Sequence, residues 1–361
     1  MKPFRIQFPQ ADLDDLGQRL AATRWPRQLP GEGWSRGVPV DYLRDLAEYW
    51  RTGYDWRAHE RALNEFPQYT TEIDGRTVHF VHSRCADPEA PALLLTHSWP
   101  GSIAEFTRIL GPLGKHFHLV APSVPGFGFS EAPRETGWSL ERVARMWAEL
   151  MTELGYDRFG AHGNDAGALI SPTLARLFPE RVTGVHLTGG LGFPSDFSEL
   201  TGEEQARFAE MGELMASGAF LHTDILGKLP QTFSYGLTDS PVAQLAWIVE
   251  KFKHWTDPAA ALPEDAVDRD QLLTNVTLYW LTGTAATSSW MYYEGLAGWA
   301  PSQSLVPTAN LVFPNDPSLR RLAERDNKIA RWTEAARGGH FAAMERPELL
   351  VADLVAFFKP A

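Results

Sequence analysis

The spacing of apolar positions changes character twice along the chain. Leu13, Leu16 and Leu20 recur at helical intervals, with Asp12, Asp14 and Asp15 near the start, where a helix dipole favours acids. Thr23-Arg24-Trp25-Pro26 ends that helix, and a Gly/Pro-rich loop follows over 30–39. Leu43, Leu46 and Trp50 predict a second helix, and Phe66-Pro67 closes the segment. The first seventy residues therefore read as a helical stretch whose many aromatics serve packing. Short strand-like runs come next. Ile73-Asp74-Gly75-Arg76 predicts a hairpin, because Asp-Gly readily supplies the positive φ angles of a type I′ turn. Val78, Phe80 and His82 then alternate with His79 and Val81, as in a strand. Apolar runs at 92–96, 119–122, 159–162 and 182–187 predict buried strands, and 166–178 predicts a helix.

From about 192 to 300 the pattern is mostly helical, as in Leu245, Ile248, Val249 and Phe252, and again in Leu272, Val276, Tyr279 and Trp280. Strands resume at Leu311-Val312-Phe313 and near 331–334, and a last helix covers 347–359. Alternating strands and helices interrupted by a helical block imply an α/β fold, a mostly parallel doubly wound sheet bearing a lid. The expected division is 1–70 as an N-terminal helical meander, 71–195 as the first part of the core, 196–300 as the lid and 301–361 as the second part of the core. No internal repeat or low-complexity tract interrupts this scheme.

With 361 residues, 44% of them apolar, the chain can bury a sizeable core and disorder is not expected. The net charge of -12 argues against nucleic acid or an anionic membrane surface as partner. A single cysteine, Cys85, excludes an intrachain disulfide and suits a reducing compartment. No signal-type apolar region follows the N-terminus, and no run approaches the roughly 18 apolar residues of a membrane span. A cytoplasmic protein without a membrane partner is expected, and a homodimer remains open. His116-Phe117-His118 is the one hint of a metal site, but it lacks a carboxylate or cysteine cluster at ligand spacing. Neither a metal nor a cofactor is expected.

The chemistry centres on Gly163-Asn164-Asp165-Ala166-Gly167, set between a strand and a helix. It has the form of the nucleophile elbow of the α/β-hydrolase fold, with Asp in place of Ser. Alone the motif is weak, since an aspartate before a helix is commonly an N-cap. Chain order strengthens it. In this fold the order is nucleophile, acid, histidine, and here Asp165 is followed by Asp316 after a strand and by His340 in Gly338-Gly339-His340-Phe341. A turn aspartate and a loop histidine are reasonable bland readings one at a time, but all three holding together is improbable. His97-Ser98-Trp99-Pro100-Gly101 follows the apolar strand at the place where this fold keeps half of its oxyanion hole. The backbone N–H groups of Trp99 and Ala166 are the expected donors. The identity of the nucleophile narrows the reaction. A serine that opened an epoxide would leave an ether the enzyme could not hydrolyse, whereas a carboxylate leaves an ester that water can cleave. Asp165 therefore points to attack on a saturated carbon, in an epoxide or an alkyl halide.

At this stage the chain resembles the microsomal-type epoxide hydrolases over nearly its whole length. The resemblance rests on Thr23-Arg24-Trp25-Pro26, Tyr54-Asp55-Trp56-Arg57 and Phe66-Pro67-Gln68-Tyr69 in the meander, and on Pro122-Ser123-Val124-Pro125-Gly126-Phe127-Gly128-Phe129-Ser130 in the core. It continues through Gly236-Leu237-Thr238-Asp239-Ser240-Pro241, Glu250-Lys251-Phe252 and Tyr279-Trp280-Leu281-Thr282-Gly283-Thr284 in the lid, and through Arg337-Gly338-Gly339-His340-Phe341. The resemblance implies Asp165 as nucleophile, His340 as base, Asp316 as its orienting acid, and a small-molecule epoxide as substrate. It also implies two lid tyrosines that polarise the epoxide oxygen. One aligns with Tyr292, with its neighbour Tyr293 as second candidate. The other falls on His222, whose ordinary pKa near 6.5 would make its protonation matter around neutral pH. Two further departures are Ser98 where the family has Gly and Ala166 where it has a large ring, and the latter suggests a bulky substrate. A haloalkane dehalogenase is the nearest rival, but it would need a tryptophan at 166 to hold halide. A non-catalytic binding protein on a hydrolase fold is the rival from another class, and the intact triad opposes it.

Overall fold

The computed structural model describes residues 1–295 and 303–359. The expected boundary between lid and second core part, at 300/301, lies outside the described residues. Nine strands form one sheet: β1 (Lys2–Phe4), β2 (Gln68–Ile73), β3 (Arg76–Ser83), β4 (Ala92–Thr96), β5 (His118–Pro122), β6 (Phe159–Gly163), β7 (Val182–Thr188), β8 (Pro307–Val312) and β9 (Lys328–Glu334). Their spatial order is β1-β2-β3-β5-β4-β6-β7-β8-β9. The first three strands are antiparallel and β3 meets β5 antiparallel, while every pair from β5 through β9 is parallel.

Local chemistry explains the hairpin and its limits. Asp74 and Gly75 both take positive φ, 51° and 67°, between β2 and β3, the signature of the predicted turn. The alternation expected in β3 is not an alternation of burial, because Val78 through His82 are all buried. Polar His79 is accommodated by bonds to Ser123 and Gln68. Three-residue β1 was not legible in a segment that reads as helical; it adds to the sheet edge through backbone pairing with β2.

Helices cover both faces of the parallel strands. Helices Leu140–Glu153 and Ala166–Leu177 bury Trp147, Met151, Ile170 and Leu174 on one face. Helices Thr107–Leu113 and Pro347–Phe358 bury Ile109, Leu110, Leu350 and Leu354 on the other. Each such aliphatic side chain contributes roughly 1.5–3 kcal/mol on full burial. The helical block after β7 sits above the carboxyl ends of the strands, and the N-terminal meander clasps it. Trp50 donates its indole N–H to Thr277 at 2.8 Å, Tyr49 bonds Asp270, and Tyr42 bonds Glu264. The meander aromatics thus pack, as expected, but against the lid. No helix among the described residues is long and apolar enough to cross a membrane.

Candidate active site

The chain proceeds from β4 outward to β5 and then returns to the other side of β4 with β6. Such a reversal opens a crevice at the carboxyl ends of the two central strands. The loop after β4 brings Trp99 there, and the turn after β6 brings Asp165. The turn is tight enough that a Cβ on Gly163 would overlap the Gly167 carbonyl, and one on Gly167 would overlap the carbonyl of Thr96. Asp165 itself holds φ 53°, ψ −118°, a strained conformation for a non-glycine residue, as the elbow requires.

That strain aims the carboxylate into the crevice. Its Oδ1 accepts the Ala166 N–H at 2.7 Å and the Trp99 N–H at 3.2 Å. Its Oδ2 lies 3.5 Å from Nε2 of His340. Burial pushes the Asp165 carboxyl up, against the pull of His340 and the two N–H donors. Burial likewise pushes the His340 imidazole down, while the charges of Asp165 and Asp316 favour its protonated form. Asp316 follows β8. Its Oδ1 accepts the Ser318 N–H at 2.7 Å and its Oδ2 the Gly190 N–H at 3.3 Å. Its influence on His340 is electrostatic, favouring the protonated imidazole.

The lid closes the site with aromatic rings. Tyr292 is 3% exposed and meets the Trp99 ring edge-on at 5.2 Å. Burial and the charge of Asp165 push its phenol well above the ordinary range, so it stays protonated. His222 is 2% exposed, stacks flat on Trp99 at 4.9 Å and stands edge-on to Tyr292 at 5.3 Å. Its Nδ1 has no hydrogen-bond partner. The expectation that His222 titrates near neutrality does not hold. Burial, with Lys251 and His340 nearby, pushes it down to about 2, so the ring is neutral. Tyr293 does not join this group. It is 56% exposed, because neighbours on the helix Trp290–Glu294 point about 100° apart. Ala166 is 3% exposed, so the space a larger ring would have taken is not open solvent.

Several contributors were missed from the sequence. Trp255 ends the lid helix Pro241–Trp255, and its ring lies 5.1 Å from His340. Asn164 donates from Nδ2 to the His340 carbonyl at 2.5 Å. Glu105 is buried beneath the Trp99 loop, where Ser98 reaches it by hydroxyl at 2.6 Å and by N–H at 3.2 Å. The signal for Glu105 was available: a lone acid inside the apolar run Ile103-Ala104-Glu105-Phe106. His118 holds the Cys85 N–H through Nδ1, which gives it a structural role, and no group of acids, histidines or cysteines suited to a metal occurs among the described residues.

Residues 1–106 match the family described as epoxide hydrolase N terminus, and residues 91–347 match the alpha/beta hydrolase fold. A Stigmatella aurantiaca protein, provisionally named an epoxide hydrolase, is 43% identical over 99% of this chain and 84% of its own length. Epoxide hydrolase 1 of Sus scrofa is 32% identical over 99% of this chain and 88% of its own length. The Aspergillus niger epoxide hydrolase structure superposes with a TM-score of 0.88 at 31% identity, covering 99% of this chain and 95% of that one. These matches run through the meander, the core and the lid alike, and the chain accordingly belongs to the microsomal-type epoxide hydrolase family.

Proposed function

We propose that the chain converts an epoxide to a vicinal diol through a covalent ester on Asp165. The observation that carries this reading is the division of labour on one carboxylate: Oδ1 sits in two backbone N–H bonds while Oδ2 remains beside His340. Oδ2 is then the attacking atom. It forms a bond to an epoxide carbon as the C–O bond of the ring breaks, and Tyr292 donates its proton to the departing alkoxide. The neutral His222 supports the same oxygen with an N–H.

In the second step His340 takes a proton from water, and the hydroxide adds to Cγ of Asp165. Negative charge develops on Oδ1, where the N–H groups of Trp99 and Ala166 already point. The bond from Cγ to Oδ2 breaks, and the diol leaves with Oδ2 and the proton from His340. The carboxyl proton left on Asp165 restores Tyr292. The enclosing rings of Trp99, Trp255, His222 and Tyr292 favour an apolar epoxide.

A single turnover in heavy-oxygen water tests the scheme. The label should enter the peptide containing Asp165 and be absent from the first diol. A labelled first diol with an unlabelled peptide would mean direct attack by water and would end the proposal. The same experiment separates the rival of a non-catalytic protein, which would yield no diol.

A further inference from the structure

The loop that presents His340 is attached to the lid at four successive residues. Gly338 donates its N–H to Oδ2 of Asp257 at 2.9 Å. Gly339 lies so close to the end of the lid helix that a Cβ would overlap the Trp255 carbonyl and the Thr256 backbone. His340 donates its N–H to that same Trp255 carbonyl at 2.8 Å, one of the orphan acceptors at a helix end. Phe341 stacks on Phe252 with ring centres 3.9 Å apart and planes 4° apart.

Asp257, two residues beyond the lid helix, makes the first of these contacts and several more. Besides Gly338, its Oδ2 accepts Nε of Arg337 at 2.7 Å, and its Oδ1 accepts the Ala259 N–H at 3.0 Å. Its own N–H goes to Oε2 of Glu345 at 2.9 Å, and the other oxygen of Glu345 accepts the Phe341 N–H at 3.0 Å. One carboxylate from the lid and one from the core thus grip the loop from both sides. The far side of the His340 peptide is held by Asn164, next to Asp165. The histidine backbone is strung between the lid and the nucleophile elbow.

We infer that Asp257, with Glu345, is a positioning residue that latches the His340 loop to the lid and so sets the base for the second half-reaction. The inference rests on the two-step reading proposed above. It makes a selective prediction, because Asp257 touches no atom of Asp165, Tyr292 or the oxyanion donors in this structure. Loosening the latch displaces the imidazole that activates water and leaves the carboxylate that attacks the epoxide in place.

The test uses the full-length enzyme with styrene oxide as probe, following ester formation and ester decay by rapid quench and intact-protein mass. Asp257→Asn should leave alkylation within about threefold of wild type and slow ester hydrolysis by about tenfold or more, in the range of a misplaced general base. The ester should then accumulate. Glu345→Gln breaks the grip from the core side and should shift the same step in the same direction, so the test stands if Asp257→Asn fails to fold. Equal slowing of both steps would mark a purely structural role and overturn the inference, as would hydrolysis at the wild-type rate. His340→Gln separates the two failures. If it traps an ester while both latch variants turn the ester over normally, the latch is wrong and the two-step reading stands. If diol forms and no ester is trapped even in His340→Gln, the two-step reading itself fails.

Discussion

Nε2 of His340 stands 3.5 Å from Oδ2 of Asp165 without forming a hydrogen bond to it. The proposed base therefore stands beside the proposed nucleophile without being tied to it. Nε2 of His340 is buried and has no hydrogen-bond partner, so it is free to accept one from a water beside Asp165. A carboxylate nucleophile needs no general base to make it attack. The imidazole serves well to receive a proton from water beside the ester. His340→Gln should accordingly form the ester and fail to hydrolyse it, with decay slowed by roughly 10²-fold or more. The check is a persistent mass increase equal to the epoxide, and turnover at the wild-type rate would remove His340 from the role of base.

Tyr292→Phe should slow alkylation by roughly 10²-fold, since the phenol is buried, remains protonated and faces the Asp165 charge. His222→Phe should slow the same step less, because it removes a supporting N–H from a ring already stacked on Trp99. Rapid-mixing measurement of ester formation distinguishes the two. A larger effect from His222→Phe would reverse their assignment.

The pH dependence of ester hydrolysis should place its acidic limb below pH 6.5. Burial lowers the His340 pKa, and Asp165 and Asp316 oppose that shift. Because His222 is held at about 2, it adds no limb in the working range. Single-turnover decay across pH 4.5–8 reads this directly, and a midpoint above about 6.5 would show that the base is not the buried imidazole described here.

Glu105 predicts a stability change of opposite sense. Burial raises its carboxyl from 4.5 to about 8, against the hydroxyl and N–H of Ser98. A raised acid stabilises the fold fully below its unfolded value, and that contribution is lost as pH rises through the folded one. Thermal stability should therefore fall between about pH 4.5 and 8, and Glu105→Gln should flatten that fall. Melting curves at pH 5 and pH 9 are the comparison, and an unchanged slope in the variant would count against the buried acid.

Gly189→Ala tests the seat of Asp316, the proposed orienting acid. Gly189 has φ +77°, and a Cβ there would overlap the carboxylate of Asp316. Positive φ alone costs an L-residue about 1–2 kcal/mol, and the overlap forces Asp316 off its two N–H donors. The variant should lose stability and hydrolyse the ester more slowly, even though residue 189 touches no reactant. Wild-type melting and decay would show that the Asp316 loop can give way.

Much of this protein follows from local chemistry. The type I′ hairpin at Asp74-Gly75, the elbow glycines and the order Asp165, Asp316, His340 depend on short-range sterics and on strand ends, which a chain displays in its own residue types. Apolar periodicity likewise exposed the strand–helix alternation and the helical block, because burial on one face repeats at 2 or 3.6 residues. Contacts between distant segments carry no such mark. Nothing near Asp257 indicates that it grips Gly338, 81 positions away, and β1 reads as part of a helical stretch until β2 offers it a partner. Protonation was also decided by the tertiary structure. His222 has an ordinary imidazole in sequence, and only its enclosure by Trp99, Trp255 and Tyr292 withholds the water a charged ring would need.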